Sequence, residues 1–516
     1  MSNFYYLLPT PYSLLPTPYS LLPNPYSLLP TPYYLLPTPY SLLHTPYSLL
    51  PTPCSLLPTP YSLLPTPYSL CNMSAETIPQ ELQAEQLLDL AAKSGATSAE
   101  VYQSRTLSRP VFFEANRLKQ IESSQSEGTA LRLWRDGRPG LAVGYGAVAA
   151  QDLVDRAMAM TALNEPESIE LADGPSANYS DSPETIPIEE LVAIGSDAIA
   201  LIRDTYPEVL CSAESEWESE TTSLINSEGL HCSYTDTSLS YFLGVEWVRG
   251  EDFLSVGDST EIRLSPSEPK ESLNTNKVLD QILQRLNWAT ENVSTPSGRV
   301  PILLTSKAAD LLWGTVEAAL NGKRVLEKAT PWSDSLGQVV TSKNLTLFQQ
   351  PNPEFPYSCP FDDEGTPTQS LVFISEGQLQ QFYCDRTTGR LLGTGTTGNG
   401  FRPSLGSYPT PDLVNLLIKP GQGSLNDLIG QLDEGLVIDQ ILGGSAGISG
   451  DFSVNVELGY RVQQGNIIGR VKDTMVAGNV YNTLKQLVVL GDDADWQDSI
   501  YTPSLIVEGL SVTSSH

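Results

Sequence analysis

The chain has 516 residues, and its 29 basic and 60 acidic side chains give a formal net charge of −31. Residues 1–72 contain no Lys, Arg, Asp or Glu, so all of this charge lies in residues 73–516, which are long enough for about two or three domains. The acidic excess argues against a nucleic-acid binder and against docking on anionic lipid, and the lack of a run of about 18 apolar residues argues against a membrane span.

The first 72 residues are a tandem repeat. The unit LLPTPYS recurs from Leu7 to Ser69, and its two prolines in every seven residues exclude a helix. We expect a polyproline-II-like or disordered segment, for which a Pro-rich ligand of an SH3-like groove is the functional alternative. Because an ordinary-looking sequence begins at Met73, we expect Met73 to be the true start of the protein.

Residues 73–295 are predicted to form an N-terminal domain of α/β type with antiparallel hairpins and flanking helices. The clearest helix is Gln80–Lys93, where leucines stand among Glu and Gln and Ser94-Gly95 ends the pattern. Asp136-Gly137 predicts a hairpin over residues 131–146. The remaining predictions are helices at 151–163, 188–204 and 277–292, strands at 99–104, 110–114 and within 209–262, and a loop at 173–187.

A linker at residues 294–298 (STPSG) places a domain boundary near residue 295, so residues 296–516 form the second domain. It opens with a predicted strand at 299–304 and a predicted helix at Ser306–Leu320. Turns at Glu376-Gly377 and Gln464-Gly465 join later strand pairs, and a last helix is predicted at 476–487. Short strands joined by glycine-rich turns predict a β-rich, barrel-like domain, and the fold class of the chain is therefore α+β.

Histidine and cysteine are too sparse for the common catalytic and metal motifs. The three histidines, His44, His231 and His516, cannot form HExxH or another metal-spaced pair. A Ser-His-Asp or Cys-His arrangement would have to use His231, which we interpret as an ordinary strand residue with Cys232 on the opposite face. The cysteines show no CxxC spacing, so we expect reduced cytosolic thiols.

Two further patterns suggest binding but have simpler interpretations. Residues 393–400 (GTGTTGNG) contain GxGxxG, which binds a dinucleotide when it joins a strand to a helix. A loop continues after it here, so we expect a backbone-permissive loop that lines a groove. The acidic clusters at 214–220 and 362–364 could hold calcium, but we favour a solvated acidic surface.

Two long segments carry motifs in a recognisable order. Residues 98–144 contain a strand, the turn EANRLKQIESS and the hairpin GTALRLWRDGRPGLAVG. Residues 417–480 contain PGQGSLNDL, SGDFS and a final AGN. Over nearly all of residues 85–495 the chain resembles the TldD/PmbA family, and the PmbA (TldE) branch in particular.

The resemblance implies a function. In that family a TldD-type subunit carries zinc on an HExxxH helix, with a cysteine later in its chain, and a PmbA-type partner shares the fold but lacks the ligands. Together they form a metallopeptidase that trims or degrades small extended peptides; an older description is modulator of DNA gyrase. The resemblance therefore implies a cytoplasmic, non-catalytic subunit that acts on extended peptides and pairs with a TldD-like subunit, or forms a homodimer.

The same resemblance assigns this chain no catalytic, metal-binding or cofactor-binding residue, and zinc is expected in the TldD-like partner. No nucleic-acid or membrane partner is expected. The segment VEAALN fits the HExxxH helix best, so Val316 and Asn321 stand where the active branch has histidines. Glu317 alone retains its residue type, and we interpret it as a helix-surface residue. The alternatives are a metallopeptidase active by itself with unrecognised ligands and a regulator of gyrase-modulator type.

Overall fold

The computed structural model describes residues 80–168, 170–174, 177–179, 185–264, 273–444 and 446–514. The tandem repeat of residues 1–72 lies outside the described residues, and the predicted loop at 173–187 lies only partly within them. Helices and strands are labelled α and β in chain order.

The elements before residue 295 follow the sequence prediction closely. They are α1 Gln80–Lys93, β1 Ser98–Glu114, β2 Arg117–Ile121, β3 Ser124–Arg135, β4 Arg138–Tyr145, α2 Ala150–Thr161, β5 Ala177–Tyr179, α3 Ile188–Thr205, β6 Leu210–Asn226, β7 His231–Arg249, β8 Asp252–Arg263 and α4 Thr275–Trp288. The hairpin at Asp136-Gly137 is confirmed, and both turn residues have positive φ (52° and 74°), as a two-residue turn between twisted strands requires.

One long strand replaces two predicted short ones. β1 runs without a break across residues 105–109, which the sequence prediction left out. Those residues pair on one side with β3, from Arg105↔Glu127 to Ser108↔Ser124, and on the other side with β6. Neighbours on both sides satisfy the backbone groups of this polar stretch, and a local pattern of hydrophobicity does not report them.

The elements after residue 295 are short strands and short helices. They are β9 Gly298–Arg299, β10 Ile302–Leu304, α5 Ser306–Leu320, α6 Gly322–Leu326, β11 Leu347–Gln349, β12 Leu371–Ser375, β13 Gln378–Leu379, α7 Arg386–Leu392, β14 Gly400–Phe401, β15 Thr410–Pro411, β16 Leu416–Ile418, α8 Leu425–Gly430, β17 Glu434–Leu442, β18 Asp451–Gln463, β19 Asn466–Val471, β20 Thr474–Asn479, α9 Val480–Lys485, β21 Leu487–Leu490, β22 Asp495–Gln497, β23 Ile500–Thr502, β24 Leu505–Val507 and β25 Ser511–Ser514.

The last predicted helix was placed too early. Residues 476–479 belong to β20, and the helix α9 covers only Val480–Lys485. β20 pairs with β18 from Asp451↔Asn479 to Val456↔Thr474, and with β25 on its other side. These two neighbours hold Thr474–Asn479 extended, and Asn479 then caps α9 by accepting a hydrogen bond from the Asn482 backbone N–H.

The described strands form three main sheets. The first contains β1–β8 in the order β4-β3-β1-β6-β7-β5, with β2 added to β1 and β8 added to β7. The second runs β21-β24-β10-β17-β18-β20-β25-β9, with β19 on β18, and the third runs β13-β12-β11-β16-β23-β22. Helix α5 contacts β10 and β17 of the second sheet and β22 and β23 of the third. The predicted α+β class is confirmed.

A shared core joins the parts of the chain before and after residue 295. Ile282 and Leu286 of α4 are fully buried in one cluster with Leu458 and Tyr460 of β18. The rings of Trp288 and Tyr460 meet edge to face, with centroids 5.3 Å apart. This core fixes the first sheet relative to the second, and so determines what lies between them. None of the helices in the described part of the chain has the length and apolar character needed to cross a membrane.

Candidate functional site

The end of α5 carries the segment that resembles an HExxxH helix. Its inner face packs into the core of the second and third sheets, where Trp313 and Val316 are fully buried. The Trp313 indole N–H donates a hydrogen bond to Thr502 Oγ1 at 2.9 Å, which holds the helix against β23. At the first position that the resemblance aligns with a histidine, Val316 therefore offers a buried hydrocarbon side chain.

Asn321 lies between α5 and α6, and its side chain caps α6. Its Oδ1 accepts hydrogen bonds from the backbone N–H groups of Lys323 at 3.0 Å and Arg324 at 3.4 Å. Its Nδ2 donates to the Pro411 carbonyl at 2.9 Å. Asparagine suits this position because its oxygen satisfies amides that have no partner inside the helix. At the second position that the resemblance aligns with a histidine, the Asn321 side chain thus stabilises the fold through these hydrogen bonds.

Glu317 is half-buried, so its interpretation as a simple helix-surface residue is wrong. Burial, followed by repulsion from Asp412 and Asp310, raises the pKa of Glu317 to about 8. These neighbouring carboxylates come from another segment and from the preceding turns of α5, which is why the local sequence did not reveal the environment. At neutral pH the carboxyl group is mostly protonated and can donate a hydrogen bond as well as accept one.

Cys384 lies beside the start of α6. A Cβ atom on Gly322 would stand 2.4 Å from the Cys384 sulfur, so the two segments are in direct contact. The Cys384 backbone N–H donates to Thr397 Oγ1 at 2.7 Å, and the sulfur is 4.0 Å from Thr394 Oγ1. Burial raises the pKa of the Cys384 thiol to about 11, so the sulfur is uncharged at physiological pH.

Residues 393–400, here called the glycine loop, follow α7 and pass beside Cys384. Gly393 ends α7 with a φ of 75°, and Gly395 and Gly398 have φ values of 79° and 72°. These left-handed conformations favour glycine, which explains the repeated glycines without a nucleotide. The expectation of a loop, as opposed to a strand-to-helix junction that binds a dinucleotide, is confirmed.

Residues 362–364, here called the acidic turn, hold the glycine loop. Their carboxylates accept backbone hydrogen bonds at 2.7–2.8 Å, Asp362 from Gly400, Asp363 from Arg402 and Glu364 from Arg386. Burial raises the pKa of Asp362 to about 7 and the pKa of Glu364 to about 8. The prediction of a solvated acidic surface is therefore wrong here, because Asp362 and Glu364 are buried against amides from other segments.

A buried ion network links the segment that follows the glycine loop to the first sheet. The Glu100 carboxylate on β1 is 2.7 Å from a guanidinium nitrogen of Arg402 and 3.1 Å from one of Arg132 on β3. The Arg402 guanidinium also stacks over the Tyr102 ring, 5.0 Å from its centroid. Because the network is buried, removal of any one of its side chains should destabilise the protein, since it leaves an uncompensated charge.

One face of β6 carries a row of carboxylates. Glu214, Glu216, Glu218 and Glu220 alternate with buried residues, so all four point to the same side of the first sheet. Burial, followed by repulsion from Glu216 and Glu220, raises the pKa of Glu218 to about 7. This face of β6 is partly covered. The four glutamates are half-buried, so they form a solvated acidic surface only in part.

A cavity of about 280 Å³, here called the edge groove, lies between β22 and the strands β6, β7 and β8 of the first sheet. Its lining includes Ser259, Thr260 and Glu261 of β8, Asp495 and Trp496 of β22, and also Glu214, Tyr357 and Asp498. The Tyr357 hydroxyl donates a hydrogen bond to Glu261 at 2.7 Å. In the described residues, β8 pairs only with β7 and β22 pairs only with β23, so each presents an open edge.

The residues at the end of α5 do not fit a zinc ion. Val316 has no donor atom and the amide of Asn321 is occupied by hydrogen bonds within the fold, whereas zinc prefers thiolate, imidazole or carboxylate ligands. No group of three or more His, Cys, Asp or Glu side chains in the described ranges is arranged to hold a metal ion. His231 begins β7 opposite Ile225, and Cys232 is buried, which matches their interpretation as strand residues on opposite faces.

Sequence reasoning missed several residues that shape this region, notably Tyr383, Arg402 and Asp412. Their roles depend on partners far away in the chain, as in the hydrogen bond from the Tyr383 hydroxyl to the Glu317 carbonyl at 3.1 Å. One signal was present: Glu100 interrupts an otherwise apolar strand start, and a buried charge in a strand requires a partner.

Models of one protein family match both parts of the chain. The model described as PmbA/TldA metallopeptidase domain 1 matches residues 99–161. The model described as PmbA/TldA metallopeptidase C-terminal domain matches residues 297–514, which include α5, Cys384 and the glycine loop. The two matches together cover more than half of the chain.

Curated relatives carry the same family names. The chain is 30% identical over 206 residues to the metalloprotease TldD homolog of Haemophilus influenzae, a match that spans 39% of this chain and 43% of that protein. It is 23% identical over 468 residues to the metalloprotease PmbA homolog of the same species, which spans 86% of this chain and 99% of that protein. The chain thus matches less than half of the first relative and nearly all of the second.

Solved structures share the fold. TldE from Thermococcus kodakarensis superposes with a TM-score of 0.76 at 23% identity, over 84% of this chain and 100% of that chain. A Thermotoga maritima protein described as a modulator of a DNA gyrase superposes with a TM-score of 0.73 at 23% identity, over the same shares.

Proposed function

Because the chain belongs to the TldD/PmbA family of metallopeptidases, we propose that it is a non-catalytic subunit that holds extended peptides for a zinc-bearing, TldD-like partner. Family membership connects the chain with proteolysis. The division of labour between two subunits is the part that we propose.

One observation carries this proposal. Both positions that would supply histidines at the end of α5 are committed to other tasks, since Val316 is buried in the core and Asn321 caps α6. Glu317, which retains the family's residue type, has a raised pKa and lacks imidazole neighbours in the described residues.

The edge groove supports the peptide-binding part of the proposal. An extended peptide can add to an open strand edge through backbone hydrogen bonds, which bind many sequences because they do not depend on side chains. In the described residues, β8 and β22 are each paired on one side only, and both contribute residues to the wall of this cavity. We place the complex in the cytoplasm as a heterodimer, where Cys211, Cys232, Cys359 and Cys384 remain free thiols.

Reconstitution tests this function. The chain is purified alone, with a TldD-like protein of the same organism, and with a variant of that protein whose HExxxH glutamate is changed to Gln. Hydrolysis of an unfolded peptide is expected only with the intact partner, and the two chains are expected to elute together in size-exclusion chromatography. Hydrolysis by the isolated chain, or full activity of the partner without it, would contradict the proposal.

A further inference from the structure

The edge groove has a geometry that suits an extended chain. β8 and β22 are each the outermost strand at one side of their sheet in the described residues, and both line the same cavity. Side chains on one side of an extended peptide repeat every two residues, at about 6.8 Å. Of the carboxylates that alternate along β6, Glu214 lines the groove.

The charges that line the groove have one sign. Glu214, Glu261, Asp495 and Asp498 contribute carboxyl groups to its wall, and no Lys, Arg or His is among its described lining residues. The nearest cations are neutralised by carboxylates. Lys277 lies 2.7 Å from Asp495, and Arg263 lies 2.7 Å from Asp236. Among the described residues, Glu214 and Asp498 form no ion pair with a cationic side chain.

Aromatic side chains complete the wall. Tyr357 and Trp496 line the groove with their ring centroids 6.5 Å apart, and Trp496 also packs against Tyr501 at 5.2 Å. Aromatic faces attract ammonium and guanidinium groups, and they provide apolar surface for the methylene stems of Lys and Arg. Carboxylates and aromatic faces together favour a cationic side chain over a neutral or acidic one.

We propose that the edge groove selects extended peptides that carry Lys or Arg, through the carboxylates of Glu214 and Asp498 in its wall. This proposal rests on the proposed function and names the substrate class. Backbone pairing supplies affinity for any extended peptide, and the carboxylates discriminate in favour of basic ones.

Peptide-binding measurements with charge-matched variants test the selection. Three fluorescently labelled peptides of about nine residues alternate Thr with Lys, Gln or Glu, and their affinities are measured by anisotropy with the full chain, alone and with its partner. The double variant Glu214→Gln, Asp498→Asn removes two charges from the groove. The double variant Glu165→Gln, Asp334→Asn removes two charges from side chains that are 93% and 84% exposed and lie outside the groove lining.

We expect the unaltered chain to bind the Lys peptide most tightly and the Glu peptide least tightly. The groove variant should weaken binding of the Lys peptide about tenfold and leave the Gln peptide unchanged, whereas the control variant should change either affinity by less than about twofold. The substitutions are isosteric, and Asp498 has a φ of 48°, a conformation that Asn also tolerates. If the double variant misfolds, Asp498→Asn alone should weaken binding of the Lys peptide by a smaller factor and leave the Gln peptide unchanged.

Three results would overturn the selection. Equal affinity for the Lys and Gln peptides would show that the groove does not read charge, while the proposed function would stand. Equal losses in the groove and control variants would assign the effect to the net charge of the whole chain. If none of the three peptides binds, with or without the partner, the proposed function fails together with the selection.

Discussion

The guanidinium group of Arg402 donates a hydrogen bond to the Glu100 carboxylate at 2.7 Å, across 302 positions in the sequence. Both side chains are almost completely buried, with exposed fractions of 3% and 1%. This contact joins β1 of the first sheet to the segment that follows the glycine loop. The acidic turn also accepts a hydrogen bond from the Arg402 backbone N–H. Arg402 therefore couples the first sheet, the acidic turn and the glycine loop.

Replacing Arg402 should destabilise the protein strongly. We expect Arg402→Leu to lower the free energy of unfolding by about 3 kcal/mol, because Glu100 would keep only Arg132 as a partner in a buried site. The control is Arg105→Leu, which breaks a pair with Glu127 whose side chains are 45% and 40% exposed, and which should cost less than about 1 kcal/mol. Urea unfolding followed by tryptophan fluorescence measures both. Equal effects of the two substitutions would contradict the coupling role of Arg402.

Two glycines in adjacent helices should respond in opposite directions to alanine. Gly322→Ala would place a Cβ 2.4 Å from the Cys384 sulfur and 2.8 Å from the Tyr383 carbonyl oxygen, so we expect a loss of about 2 kcal/mol. Gly314 of α5 has open space around the same position, so Gly314→Ala should stabilise the helix by about 0.5–1 kcal/mol. Differential scanning fluorimetry should show a lower melting temperature for the first and a higher one for the second. A neutral Gly322→Ala would mean that α6 and Cys384 are not in contact.

Asn321 should matter to stability as a cap. We expect Asn321→Ala to cost about 1–2 kcal/mol, since it removes the acceptor for two backbone amides of α6 and the donor to Pro411. Thr305 precedes α5 at the equivalent position, but its side chain makes no capping hydrogen bond. Thr305→Val should therefore change the free energy of unfolding by less than about 0.5 kcal/mol. If Asn321→Ala changed the free energy of unfolding as little as Thr305→Val, the role of Asn321 as a cap of α6 would be refuted.

Glu317 should make the protein less stable in alkaline than in mildly acidic solution. Its pKa in the folded protein is about 8, above the ordinary value, so the folded state binds its proton more tightly than the unfolded chain does. The free energy of unfolding then falls as pH rises from about 5 through about 8. Glu317→Gln cannot ionise and should reduce this fall by an amount on the order of 1 kcal/mol. Glu208→Gln, at an exposed carboxyl group, is the control for the removal of one acidic side chain. A pH dependence in Glu317→Gln that equals that of the unaltered protein would refute the assignment.

Local patterns in the sequence predicted most of the regular elements. Helices such as Gln80–Lys93 and Ser306–Leu320 were predicted to the residue because their apolar side chains repeat with helical spacing. The turns at Asp136-Gly137, Glu376-Gly377 and Gln464-Gly465 were predicted because each has a glycine, which permits a tight turn. In the structure both residues of each pair have positive φ.

Features that depend on distant partners could not be predicted in this way. The length of β1 and the strand at Thr474–Asn479 follow from neighbours on both sides. The burial of Asp362 follows from the backbone amide of Gly400, which lies 38 residues later. The candidate site at residues 316–321 was located through the family resemblance. Asp412, whose carboxylate raises the pKa of Glu317, has no signal in the local sequence.

The metal content of the isolated chain tests the central claim most directly. The full chain is purified without chelator, exposed to excess zinc, desalted and analysed by inductively coupled plasma mass spectrometry, with peptide hydrolysis measured on the same sample. We expect far less than one zinc ion per chain and no hydrolysis until the TldD-like partner is added. One tightly bound zinc ion per chain, with hydrolysis that is lost on chelation and restored by zinc, would contradict it.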